Sequence, residues 1–291
     1  MKYLIFYTIF TISLTTYSQK TLQYTLNVGD KFTVEQEANQ HITQDINGAA
    51  QVIENNLIGV MYFEVVEATP ENYTLEMSFK RLKMMMSSPT LGELSNSDTE
   101  SADSSNVTNM LFKGLLDIPV TIIMEKNGKI KSVTGGEKLI NSMFESAGID
   151  QPEIIAASKG QMEKQFGSEA LSNSFEQMTH FYPVDAVVVG NEWTNSYSGN
   201  MNAKNSWKLE NLTDTSINIS GTATTTMSTI DENVMMTLNG SQKTTVVANP
   251  ETGLFSLITV VGENSGDALF QAQNMTIPTT INSTITYKIL Q

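Results

Sequence analysis

The chain has 291 residues, no cysteine, 17 basic against 31 acidic residues and a formal charge of −14. Without cysteine there is no disulfide framework, no thiolate nucleophile and no thiolate metal site. The charge disfavours nucleic acid and anionic head groups as partners, and the length suffices to bury a large core.

The chain opens MKYLIFYTIFTISLTTYSQK. Lys2 is a short positive start, residues 4–14 are mostly apolar, and Thr16 and Ser18 are small residues before a cut ahead of Gln19. This pattern predicts a signal peptide over residues 1–18. The apolar run falls short of the roughly 20 residues that span a bilayer, though a retained anchor is the alternative. The expected protein is exported, periplasmic or extracellular, and not an integral membrane protein. It is not lipid-anchored through an N-terminal Cys, since no cysteine follows the apolar run. Residues 19–291 are expected to form a single β-rich domain.

Strand signals come first, over 22–86. In KFTVEQEANQHITQDI, Phe32, Val34, Ala38, Ile42 and Ile46 share one face of a period-two pattern, with Glu35, Glu37, Asn39, His41 and Asp45 on the other. Asn47-Gly48 then signals a hairpin, because both residues tolerate positive φ. NYTLEMSFKRLKMMM places Tyr73, Leu75, Met77, Phe79 and Met85 on one face and Leu82, Met84 and Met86 on the other. Residues 87–106, rich in serine and carboxylates, offer little to bury and are expected to be a flexible insert. A short helix and a hairpin at Asn127-Gly128 fill 107–134. A helical block follows over 135–182: Leu139, Ile140, Met143 and Phe144 recur at helical spacing, Gly148 stops that helix, and a second stripe from Ile154 to Met178 is interrupted at Gly167-Ser168. Strands resume over 187–290, with hairpins expected at Asn239-Gly240 and around Pro250 and Gly253. In the last strand Ile277, Ile281, Ile285, Tyr287 and Ile289 share a face. The order predicts an α+β, β-rich fold: a large curved antiparallel sheet, half-barrel-like, with helices packed on one face.

Three stretches, VGDKF with QDINGAAQVIE, TIIMEKNGKIKSVTG and HFYPVDAVVVGNEWTNSY, together resemble a domain-of-unknown-function family of exported proteins from Gram-negative envelopes. The resemblance covers nearly the whole mature chain and brings no assigned catalytic or binding residues. The layout is also similar to the half-barrel of periplasmic lipoprotein carriers, in which helices cover a curved sheet over an apolar cavity.

Chemistry-bearing patterns are few. His41 and His180 are the only histidines. His41 falls on the polar face of a strand and His180 at a helix end, where a capping role suits it. There is no G-x-S-x-G elbow and no H-E-x-x-H motif, and neither histidine has metal-ligand neighbours. Asp98, Glu100 and Asp103 lack the spacing that aims ligands at one cation. No catalytic residue, metal site or cofactor is expected. The methionine runs are better suited to lining irregular apolar space than to binding copper. The expected function is therefore non-catalytic binding of a lipid-like or other hydrophobic small molecule in a groove between sheet and helices, lined by Met77, Phe79, Met84, Met85, Met86, Met143, Phe144 and Phe166. The alternatives are a structural or protein-interaction module of the cell envelope with no ligand cavity, for which another envelope protein is the possible partner, and a hydrolase.

Overall fold

The computed structural model describes residues 19–290 except 47, 104, 200, 231–233 and 272–273. The expected signal peptide lies outside the described residues. In chain order the elements are β1 (Lys31–Ile46), β2 (Ala49–Ala68), β3 (Asn72–Ser88), β4 (Gly92–Asp98), α1 (Val107–Lys113), β5 (Val120–Glu125), β6 (Ile130–Thr134), α2 (Gly136–Ser146), α3 (Pro152–Phe166), α4 (Ser168–Thr179), β7 (Glu192–Tyr197), β8 (Met201–Leu212), β9 (Ile217–Ile230), β10 (Val234–Ala248), β11 (Phe255–Phe270) and β12 (Met275–Leu290). The strands form one antiparallel 12-stranded sheet in the order β6-β5-β3-β2-β1-β12-β11-β10-β9-β8-β7, with β4 beside β3. The expected fold class is the observed one.

The sheet is curled, and α4 lies against both of its edge strands, β6 and β7. A single helix thus spans the gap between the two open edges. Its buried stripe, Leu171, Phe175 and Met178, joins a core that includes Phe63, Leu75, Met77, Leu139, Met143 and Trp207. The segment after α4 is tied to the opposite edge: Asn195 Nδ2 donates to the His180 carbonyl at 2.5 Å, and Trp193 Nε1 donates to the Phe181 carbonyl at 3.1 Å.

The core occupies one end of the long strands. Val34 of β1, Met61 and Val65 of β2, Val246 of β10, Ile258 of β11 and Tyr287 of β12 all belong to it. Residues 22–28 were expected as a strand and are not one. They cross the turns at that end, with Tyr24 N donating to the Lys126 carbonyl and Thr25 N to the Thr252 carbonyl. Leu22, Tyr24 and Leu26 are buried there. A segment lying across turns meets no parallel-running neighbour with which to build a ladder.

Two expectations are corrected. Residues 87–106 are not a loose insert: β4 pairs with the end of β3, Met84 opposite Ser97 and Met86 opposite Ser95. The carboxylates that made the segment look soluble hold it in place. Arg81 Nη2 lies 3.2 Å from Asp98 Oδ2 and 2.9 Å from Glu100 Oε2, and the Asp98 amide donates to Asn109 Oδ1 of α1. Nor is Asn239-Gly240 a turn. Both residues sit inside β10, Asn239 opposite Ser265 and Gly240 opposite Asn264. The glycine serves there for lack of a side chain, since a Cβ would lie 1.9 Å from the Glu263 carbonyl oxygen. The Pro250–Gly253 hairpin is present, with Gly253 at φ +70 and its amide bonded to the Asn249 carbonyl. The α3–α4 break falls at Gly167.

Candidate ligand-binding site on the concave face

Strand register sorts the side chains by face. Beyond the core, the inward positions form rows across the sheet. One row reads Trp207, Gly221, Thr244, Val260, Ile285, Ala38, Leu57, Met84. The next reads Asn195, Asn205, Ala223, Gln242, Gly262, Ser283, Gln40, Asn55, Met86. Then follow Ala203, Thr225, Gly240, Asn264, Ile281, Ile42, Ile53, and after them Met201, Met227, Leu238, Gly266, Thr279, Gln44, Gln51. None of these positions carries a charge. The same strands present Lys243, Glu263, His41 and Glu54 on the opposite face, where His41 Nδ1 and Glu54 Oε1 are 2.7 Å apart. That outward face holds a trough of about 840 Å³ running across six strands.

The concave face is therefore uncharged and partly apolar, with a belt of carboxamides through it. Side chains in the belt engage one another: Asn55 Nδ2 donates to Gln40 Oε1 at 2.9 Å, and Asn205 Nδ2 donates to Asn195 Oδ1 at 2.8 Å. Gln242 Nε2 has Met201 Sδ at 3.2 Å, a weak acceptor. Asn55 Oδ1 is buried without a hydrogen-bond partner. One row on, Thr225 Oγ1 donates to Asn264 Oδ1 at 2.6 Å.

Over this belt lies α4. Its core stripe points away from a second stripe, Ala170, Asn173, Ser174 and Gln177, which faces the sheet across a cleft of about 230 Å³. The sheet side of the cleft is Gln40, Gln242, Asn264, Ser283, Met201, Met227, Ile281 and Ile285. Its donors and acceptors are neutral, and among the described residues no cluster of His, Asp and Glu could hold a metal.

The sequence-derived lining residues scatter. Met77, Phe79, Met143 and Phe144 are buried in packed interior. Met84 and Met86 are half-buried on the concave face, beside Leu57 and Asn55 respectively. Met85 points the other way, is 38% exposed and lines the outward trough. Phe166 is half-buried, edge-on to Phe112 of α1. The cleft amides were not picked out from sequence. A signal existed in β1, where Gln36, Gln40 and Gln44 fall on the apolar parity of Val34, Ala38 and Ile42. His180 is the C-cap residue of α4, with Nδ1 3.1 Å from Glu176 Oε1.

No curated protein matches the sequence. Among solved structures, lipovitellin aligns with a TM-score of 0.50 at 10% identity, over 91% of this chain and 25% of its own. The chain thus spans a quarter of lipovitellin, and the likeness is one of fold. An outer membrane channel from Pseudomonas putida F1 aligns at 10% identity over 96% of this chain and 100% of its own, with a TM-score of 0.24. A Bacteroides fragilis NCTC 9343 protein of YmcC-like fold aligns at 8% identity over 94% and 100%, with a TM-score of 0.16. Among the described residues no helix is long and apolar enough to cross a membrane. The family model that matches covers residues 70–255, more than half of the chain, and the protein belongs to that family, a family of unknown function (DUF6263).

Proposed function

We propose that this protein is a non-catalytic, exported binding protein that holds a lipid-like or other hydrophobic ligand against the concave face of its sheet. The observation that carries this reading is the absence of charge from four consecutive inward rows on strands whose outward face includes Glu37, Glu54, Lys243, Glu263 and Asp267. A charge-free, partly apolar concavity excludes ions and strongly hydrated solutes and rewards burial of apolar surface at about 25 cal/mol per Å². The sheltering of Met84, Met86, Leu57 and Ile53, half-buried yet outside the main apolar cluster, supports it. So does the lipovitellin likeness, whose structure concerns lipid–protein interactions.

The cleft under α4, about 230 Å³, is smaller than the ~300 Å³ at which drug-sized pockets begin. A ligand would therefore seat one end in the cleft and lay the rest over the half-buried positions Ile42, Ile53, Leu57 and Met84. Native mass spectrometry of protein purified from its homologous host tests the reading. Adducts that organic solvent extracts are expected. A bare polypeptide mass, together with no uptake of an apolar dye such as Nile red, would refute it and leave the protein-interaction alternative, which the outward trough favours.

A further inference from the structure

We infer that the ligand presents an uncharged hydrogen-bond acceptor, such as an ester or amide carbonyl, to the amide belt beneath α4; this rests on the binding function proposed above. Two carbonyl oxygens of the cleft are already engaged. Gln40 Oε1 receives Asn55 Nδ2, and Asn264 Oδ1 receives the Thr225 hydroxyl. What these two side chains can offer a ligand is N–H. Gln242 Nε2 adds another donor, because its contact with the Met201 thioether is easily surrendered to an oxygen. All three residues line one cleft, with Asn173 and Gln177 opposite them on α4.

The cleft thus converges donors without a cation. A carboxylate or phosphate placed there would lose its hydration without gaining a counter-charge, and a cation would likewise find no carboxylate among the lining residues. The −14 charge of the whole chain adds to the cost for an anion. A carbonyl that keeps its hydrogen bonds and carries no charge meets neither penalty, and its alkyl part can follow the apolar rows.

The test compares monomyristoylglycerol, myristate and tetradecyltrimethylammonium, three amphiphiles of equal chain length, by displacement of Nile red from the intact mature protein. The expected result is binding of the neutral ester at least tenfold tighter than either ion. Gln242→Leu and Gln40→Leu should shrink that preference several-fold while Nile red uptake persists. Gln177→Leu, on the helix side, is a second route should a sheet variant misfold. Equal or tighter binding of myristate would overturn the inference and leave the hydrophobic-ligand reading standing. A preference for the ester that survives all three substitutions would overturn the assignment to this belt. Failure of Nile red and all three amphiphiles to bind would defeat both readings together.

Discussion

Thr225 and Asn264 stand on strands that do not touch in a flat sheet, since β10 runs between them, yet the Thr225 hydroxyl donates to Asn264 Oδ1 at 2.6 Å. Neighbouring strands lie about 4.8 Å apart, so residues two strands away are normally beyond direct reach of so short a side chain as threonine. The residue between them is Gly240, in register with both. With no side chain there, the sheet bends inward and the two polar groups, both almost fully buried, satisfy each other. The close approach of β9 and β11 at this point is permitted by the missing side chain of Gly240.

Gly240→Val should accordingly flatten or break the sheet. A Cβ would lie 1.9 Å from the Glu263 carbonyl and 2.7 Å from Asn264 Oδ1, so the backbone must move. Overpacking of this kind costs about 1–3 kcal/mol or more. Thr225→Val keeps the shape and removes the donor, leaving Asn264 Oδ1 buried and unpaired at about 1–3 kcal/mol. Denaturant melts of both variants check this; wild-type midpoints would show that the bend has another origin.

Arg81, the sole arginine of the chain, should hold β4. Burial pushes the Asp98 carboxyl up, but the Glu100 amide, the Arg81 hydrogen bond and the charges of Arg81 and Lys83 outweigh it and leave it below its ordinary value. A lowered carboxyl stabilises the fold fully above its unfolded pKa of about 3.9, and that contribution disappears as pH falls through the lower folded value. Arg81→Met should therefore cost about 1–2 kcal/mol at neutral pH, a modest sum because the pair is partly exposed, with the deficit closing in acid. Faster hydrogen exchange confined to β4 would locate the damage. Deleting residues 88–105, which removes β4, should likewise lower the melting temperature.

The two tryptophans should differ. Trp207 is 3% exposed and donates through Nε1 to Asn195 Oδ1, whereas Trp193 is only partly buried against the core. Trp207→Ala should cost about 3–5 kcal/mol and Trp193→Ala less. Equal losses in urea titrations would contradict the burial difference.

The methionine run should split by face. Met84 and Met86 point to the concave side and Met85 outward. Met84→Gln and Met86→Gln should reduce Nile red uptake per folded molecule, and Met85→Gln should leave it unchanged. Loss of uptake confined to Met85→Gln would move the site to the outward trough.

Much of the fold was legible because it is local. Period-two alternation exposed β1 and β12, and helical spacing with Gly148 and Gly167 bounded α2, α3 and α4. The Asn-Gly rule succeeded at Asn127-Gly128, with Gly128 at φ +93, and failed at Asn239-Gly240 because glycine suits a crowded bend as well as a turn. Strand β4 was hidden because its serine- and carboxylate-rich composition shows no apolar alternation, and what meets it, the end of β3 with Arg81, lies outside the segment. The site was hidden for a deeper reason. Gln40, Asn173, Gln242 and Asn264 become neighbours only through the register of four strands and the docking of α4, and no window of sequence contains that relationship.

The most direct measurement exploits the absence of cysteine from the chain. Gln242 and Lys243 are adjacent in β10 and face opposite sides; both border the outward trough, and only Gln242 lines the cleft under α4. In Gln242→Cys and Lys243→Cys variants, maleimide labelling is timed with and without saturating monomyristoylglycerol. Ligand should slow labelling of the Gln242→Cys variant at least severalfold and leave the Lys243→Cys variant unaffected. Protection of the Lys243→Cys variant alone, or of neither, would contradict a binding site on the concave face.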